Sequence, residues 1–490
     1  MRRAVLLAAL ALVFGASASA AGARSHPIQT AVQDGAAIFD RPTAPPAMAR
    51  IHAAGASWVR LDVEWRGVAP QGSSKPAGFD ASSPGDPGYD WGGVDFAVRE
   101  AVANGLSPFI SIAEAPSWAE RGSGGRSGTQ NPDPGELAAF ARAAALRYSG
   151  HYAGLPRVSA WEVWNEVNAS FFFAPQWQDT PGGRKALSPV LYRKMVNDFA
   201  AAVHGVDTTN VVVAGSLYPF ALDRPTGQAI PPLEFLRDFF CLTKKLRVIS
   251  GCGEPVQIDV LSHHPYTSGD PLHEVLAPDS VSIGQLPRMS RVLRAAVRQG
   301  RVISRRPAGF WVTEWGWDTN PPDPQGVPVA LQARWISEGL YRMWNAGVSV
   351  ASWFKLRDGY GDNSRFASGL FSICPQDPAN VGCDRPKLSF DSFRFPFVAF
   401  RRKHRRVYVW GRTPGSVPGK VIVEQRRHGR FRRVVKLKTD RWGVFGRTLR
   451  SRKVKRSHGN LRARLAGGSV ASLPFSLKRP PDFPISPPVG

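Results

Sequence analysis

The chain has 490 residues, 43% of them hydrophobic, so it can bury more than one substantial core and is too rich in apolar residues to be disordered. Its net charge is +25, but the basicity is not spread evenly. Residues 401–490 hold 25 Lys and Arg against three acidic residues (Glu424, Asp440, Asp482), a net of +22, which leaves only +3 for residues 1–400. No Gly-rich phosphate loop follows the first strand-like run, which argues against a doubly wound dinucleotide-binding sheet.

In chain order, Arg2 and Arg3 precede an uncharged apolar run, Ala4 to Gly15, and Ala18-Ser19-Ala20 follows. This reads as a signal peptide over 1–20, since the apolar run is too short to span a bilayer. No later stretch is long enough to do so. Export fits the four cysteines, whose local pairs Cys241/Cys252 and Cys374/Cys383 are the cheapest to close. A zinc site is the competing reading, but no C-x-x-C motif or nearby histidine set supports one.

From 25 to 400, apolar runs suited to buried strands alternate with helical patterns. The strands are expected over Ile28–Val32, Trp58–Val63, Ser107–Ile112, Val158–Val163, Val211–Gly215, Ile258–Ser262, Phe310–Thr313 and Val348–Trp353. Helices are expected near 47–54, 94–103, 136–148, 192–203, 233–246, 289–297 and 330–344, with a last one near 390–400. Asp133 and Glu136 form a capping-box pattern, and Gly105 and Gly347 are helix stops. Eight such units predict an α/β fold, a (β/α)8 TIM barrel over 25–400. After Arg401-Arg402-Lys403-His404-Arg405-Arg406, short alternating strands with a His428-Gly429 turn predict a small basic β-sandwich over 405–478. A disordered Pro-rich tail, 479–490, is expected to follow.

Two glutamates stand where strands four and seven should end: Glu166 in Trp164-Asn165-Glu166, and Glu314 in Val312-Thr313-Glu314-Trp315. Barrels place chemistry at the carboxyl ends of their strands, and glycoside hydrolysis needs two carboxyl groups facing across one sugar.

On these residues, together with Arg60 in Val59-Arg60-Leu61, His264-Pro265-Tyr266 and Trp353, the segment 28–400 resembles a clan A retaining glycoside hydrolase of the kind in families 5 and 39. The resemblance implies that Glu166 is the acid/base and Glu314 the nucleophile. It also implies that Arg60 contacts the nucleophile, that His264 and Tyr266 support the site, and that Trp353 lies beneath the sugar. Physically, Arg60 and the Tyr266 hydroxyl would favour a charged Glu314. Aromatic surroundings and the Glu314 charge would raise the pKa of Glu166. Asn165 can hydrogen-bond a sugar hydroxyl.

His263 reads as structural. Asp62, Glu64 and Glu114 read as pocket hydrogen-bonders or loop residues. Phe171, Phe172, Phe173, Trp177, Trp315 and Trp317 are candidate sugar-stacking platforms, with loop packing as the alternative. The expected function is hydrolysis of a β-linked O-glycosidic bond in an oligo- or polysaccharide by a secreted enzyme, calling for no metal or cofactor. A transglycosylase would use the same residues, and a carbohydrate-binding protein on a decayed barrel is the non-enzymatic alternative. The basic segment suggests an anionic polysaccharide partner, with a solvated solubility surface as the plain alternative; nucleic acid is not expected.

Overall fold

The computed structural model describes residues 26–221, 228–359, 366–450, 454, 459–481 and 483. The segment 1–20, expected to be a signal peptide, and most of the tail 479–490 lie outside the described residues.

Eight parallel strands close into a barrel: β1 Gln29–Gln33, β2 Trp58–Glu64, β3 Ser107–Ala113, β4 Ala160–Val163, β5 Val211–Leu217, β6 Val260–His263, β7 Gly309–Trp315 and β8 Val350–Phe354. Each is followed by a helix: α1 Ala44–Ala53, α2 Gly92–Ala103, α3 Pro134–Arg147, α4 Ser188–Val206, α5 Pro232–Phe239, α6 Leu286–Arg298, α7 Val329–Ala346 and α8 Leu388–Arg394. Local signals set several boundaries. The Asp133 carboxylate caps α3 by accepting from the Gly135 and Glu136 amides, while the Glu136 side chain turns to Lys75 instead of closing a capping box. Gly347 ends α7 in the left-handed conformation that glycine adopts without a Cβ penalty.

One residue from each strand fills the barrel interior. Ala31, Phe109, Ala160, Val213, Val260, Trp311 and Val350 are buried together, with Trp58 packed against them. Side chains alternate along a strand, so counting by twos toward the carboxyl ends names the residues that reach the mouth. They include Gln33, Arg60, Asp62, Ser111, Glu162, His264 and Phe354.

The expected eighth helix, 390–400, is a shorter helix followed by a strand. Pro396 cannot continue a helix, and Phe397–Arg402 pairs with the next strand. Helix α5 also ends earlier than its pattern, at Phe239, and Cys241 then takes a positive φ of 54° at the start of a loop closed by Cys241–Cys252. A second disulfide joins Cys374 and Cys383.

The remainder is antiparallel: β9 Phe397–Arg402, β10 Arg406–Arg412, β11 Lys420–Arg427, β12 Arg430–Lys438, β13 Val444–Arg450, β14 Asn460–Leu465 and β15 Phe475–Ser476. They form sheets ordered β9-β10-β13 and β12-β11-β14-β15. His428 and Gly429, at φ 47° and 78°, make the tight turn of the β11–β12 hairpin. Like charges face one another across these ladders: Arg402 and Arg406, Arg406 and Arg450, Lys420 and Lys438, Arg427 and Arg430. The sheets lean on α7, where Tyr341 and Trp344 meet Phe400 and Trp410 at ring distances of 5.2–5.6 Å. Buried Arg412 reaches across to the Ile28 carbonyl and the Thr30 hydroxyl of the barrel.

Candidate active site

A cleft of about 400 Å³ opens at the carboxyl ends of the strands. Arg60 organises its floor. The buried guanidinium donates from Nε to Glu162 (3.1 Å), from one terminal nitrogen to Gln33 (2.9 Å) and Glu314 (2.9 Å), and from the other to Ser111 (3.2 Å) and Asn165 (3.0 Å). Nε also lies 3.1 Å from Asp62. All five of its N–H groups are thereby committed. Burial works against the charge, but Asp62, Glu162 and Glu314 together outweigh it and raise the Arg60 pKa.

Glu314 sits at a register shift. Trp311 and Thr313 point inward by alternation, and the ladder slips between Val312 and Trp315, so Glu314 faces the cleft too and Trp315 turns out. Three donors meet its carboxylate: Arg60 (2.9 Å) and Gln33 (3.1 Å) on one oxygen, the Tyr266 hydroxyl (2.5 Å) on the other. Burial, with Glu314 beside it, pushes the Tyr266 phenol well up, which keeps it a donor.

Glu166 is buried at the end of β4 in a left-handed conformation, φ 44°, two residues after Trp164 at 69°. Such strain at a strand end marks sites held in place by their surroundings. Part of that hold comes from β5, where the Ser216 carbonyl accepts from the Glu166 amide at 2.9 Å. Gly215 precedes it at φ 126°, where a Cβ would overlap the Ser262 carbonyl. Burial first, then the Glu314 charge, raises the Glu166 pKa well above the ordinary carboxyl value, with Arg60 opposing.

One imidazole bonds one carboxyl group and lies near the other. His264 Nδ1 lies 3.0 Å from Glu166 and 3.9 Å from Glu314. Burial, Arg60 and His263 push its pKa well down, so the ring is neutral. A protonated Glu166 therefore donates to Nδ1, and Nε2–H donates to the Thr313 hydroxyl 3.2 Å away. His263 faces outward, donates to the Val281 carbonyl, and is lowered by burial to about 4, as a structural histidine should be.

A stability consequence follows with a definite sign. A carboxyl whose folded pKa is raised binds more protons folded than unfolded above the ordinary value, so it costs stability as pH rises through that window. Glu166→Gln keeps the shape and can still donate to His264. Its stability should match the wild type at acid pH and exceed it increasingly toward neutral pH, read from urea midpoints across pH 4–8. Parallel pH profiles for the two proteins would refute this.

The structure thus brings Arg60, Asn165, Glu166, His264, Tyr266 and Glu314 together, and it corrects the aromatic expectations. Trp353, expected beneath a sugar, is 0% exposed: alternation from inward-facing Val350 turns it outward, and Phe354 takes the cleft position. Trp315 and Trp317 are likewise 0% exposed and pack with Trp353 and Trp335 behind β7 and β8. Trp177 lies on a hairpin, Trp177–Thr180 with Gly183–Ala186, under Arg184, and does not line the cleft. Of the phenylalanine run only Phe172 lines it; Phe173 is core and Phe171 packs on Tyr218. Asp62 and Glu64 do line the cleft, and Glu114 is held there by Arg66 and Arg126. Sequence reading missed Gln33, Ser111, Glu162, Tyr218, Phe354 and Phe366. For Glu162, the available signal was a lone polar residue inside an apolar run, Ala160-Trp161-Glu162-Val163-Trp164. Among the described residues no cluster suited to a metal ion occurs.

No protein-family model and no curated protein matches the sequence. Solved structures do resemble the fold. A family 39 glycoside hydrolase from the gut symbiont Bacteroides cellulosilyticus WH2 aligns with a TM-score of 0.51 at 15% identity, over 86% of this chain and 81% of that one. A monomeric beta-xylosidase from Caulobacter crescentus CB15 aligns with a TM-score of 0.50 at 16% identity, over 87% and 94%. A conserved exported protein from Bacteroides fragilis gives 0.51 at 12%, over 87% and 98%. The chain therefore has a fold that glycoside hydrolases carry. At these identities the likeness speaks for the fold alone, and function must be argued from the site.

Proposed function

We propose that the protein is a secreted retaining glycoside hydrolase acting on a β-linked O-glycoside. Glu314 attacks the anomeric carbon while Glu166 protonates the leaving oxygen; Glu166 then draws a proton from water, which displaces Glu314 from the glycosyl-enzyme. The observation that carries this reading is a single neutral imidazole set between two carboxyl groups in opposite environments. Glu166 is buried and proton-retaining, and Glu314 is met by three donors. The test is a screen of aryl β-glycosides and of plant and bacterial polysaccharides, with product configuration read by NMR. Inverted products, or activity indifferent to both glutamates, would reject the reading. Export is supported by the two disulfides, and no helix among the described residues is long and apolar enough to cross a membrane.

The basic sheets support a second element, an anionic polysaccharide partner. Like charges directly opposite on a ladder are destabilising, and here four such pairs are kept. Strand β12 is a sheet edge whose exposed Arg430, Arg432, Arg433, Lys436 and Lys438 make no ion pair among the described residues. Glu424 is already held by Arg462 and Arg464. The full chain should be retained on immobilised alginate or polygalacturonate at low salt, and released as salt rises. Replacing the five β12 cations with Gln should weaken retention and lower the salt needed for release by more than replacing five exposed cations elsewhere on the chain. Absence of salt-sensitive retention on either polymer would leave the charge as protection of a sheet edge.

A further inference from the structure

We infer that Asp62 is a third functional carboxylate of the cleft, and that it restricts the subsite beside Glu314 to a sugar without a carboxylate group. The inference rests on the hydrolase reading and narrows its substrate class.

The charge inventory of the cleft floor decides it. Among the described residues that line the cleft, Arg60 is the cation, and three carboxylates touch it: Glu162 at 3.1 Å, Asp62 at 3.1 Å and Glu314 at 2.9 Å. With Glu166 protonated, the floor carries one positive charge against three negative ones. Every Arg60 N–H is already committed, so the guanidinium has nothing left to offer a substrate carboxylate. Toward the rim the charges cancel, since Glu114 is gripped by both Arg66 and Arg126, and Arg66 also meets Glu64 at 3.3 Å. The excess negative charge therefore lies at the bottom, where the reacting sugar ring must sit.

Asp62 is the member of that floor able to meet a ligand. Glu162 is wholly buried, whereas the Asp62 side chain is 41% exposed and lines the cleft. One of its oxygens faces Arg60, which leaves the other to accept from a sugar hydroxyl. Burial pushes its carboxyl up to about 6, with Arg60 opposing and the neighbouring carboxylates adding, so it is ionised at neutral pH. A uronic acid would bring a further negative charge onto this floor and meet no uncommitted cation there among the described residues. A neutral ring supplies hydroxyl donors, and its transition state develops positive charge at the anomeric carbon, which the same field stabilises.

The decisive comparison uses pairs differing only at C6: 4-nitrophenyl β-glucoside against β-glucuronide, and β-galactoside against β-galacturonide. Wild-type kcat/KM should favour the neutral member by about 100-fold or more, since like-charge juxtaposition costs several kcal/mol. Asp62→Asn, with Asp62→Ser as a second variant should Asn disturb folding, should narrow that ratio about tenfold. Saturation-transfer NMR with the methyl glycosides and Glu166→Gln reads the same preference as binding, independently of turnover. Comparable handling of the uronide, an unchanged ratio in both variants, or binding of no neutral sugar in a gluco, galacto, manno and xylo panel would overturn the inference. A uronide turned over with both glutamates required would do so while leaving the hydrolase reading intact.

Discussion

Glu314→Ala should form no glycosyl-enzyme on any substrate, while Glu166→Ala should fail selectively. Removing the proton donor hurts poor leaving groups most, by about 10²–10⁴-fold, the usual scale of general-acid catalysis. An activated aryl glycoside needs little protonation, so its first step survives and the glycosyl-enzyme accumulates for want of a base. Azide needs no base. With Glu166→Ala it should restore turnover and yield a β-glycosyl azide of retained configuration. With Glu314→Ala it should attack directly and yield the inverted α product. The environments motivate this division: Glu166 is buried and bonded to a neutral imidazole, and Glu314 faces Arg60, Gln33 and Tyr266. Swapped product configurations would exchange the two roles, and wild-type activity in both variants would remove them from the chemistry.

Replacing Arg60 should be the most destabilising change at the site. Arg60→Met leaves Glu162 at 0% exposure with no cation, and one of its oxygens already has no hydrogen-bond partner. Breaking a buried pair in this way costs about 3–5 kcal/mol, because the orphaned charge stays buried. Arg60→Lys would not repair it, since one ammonium cannot span Glu162, Gln33, Glu314, Ser111 and Asn165. Arg60→Met combined with Glu162→Gln should recover part of the loss, because the uncompensated charge goes with it. Urea midpoints of the three variants test the claim. A double variant no more stable than the single would show that Glu162 is not the source of the cost.

Much of this was legible from residue order, and the failures have a common cause. Alternating strand and helix patterns specify a barrel, and strand ends specify a mouth, so Glu166 and Glu314 could be placed in one cleft without coordinates, and the resemblance to clan A glycoside hydrolases added Arg60, Asn165, His264 and Tyr266. What a parallel strand conceals is its phase. Val348 to Trp353 is alike on both faces, each with one serine (Ser349, Ser352) among apolar residues, because the barrel interior covers one and the helices the other, so nothing in the run says which face Trp353 takes. The structure gives the cleft to Phe354 instead. The register shift before Trp315 is invisible for the same reason. Glu162 was legible in principle, since a polar residue amid apolar neighbours must find a partner, but the partner, Arg60, is distant in sequence.

The seam between barrel and sheets bears on how a polymer would be handled. Tyr341, Trp344, Phe400 and Trp410 interlock there, and Arg412 ties the sheets to β1. No flexible tether separates the two parts, so a chain held by the β12 cations would meet the cleft at an effective concentration set by geometry rather than by linker length. Such a rigid mount does not average over positions. On a polymer that carries neutral stretches beside acidic ones, it would enhance cleavage at neutral-sugar bonds lying one fixed interval from the anchored acidic stretch and do nothing for the rest, turning an unspecific electrostatic grip into a ruler along the polymer.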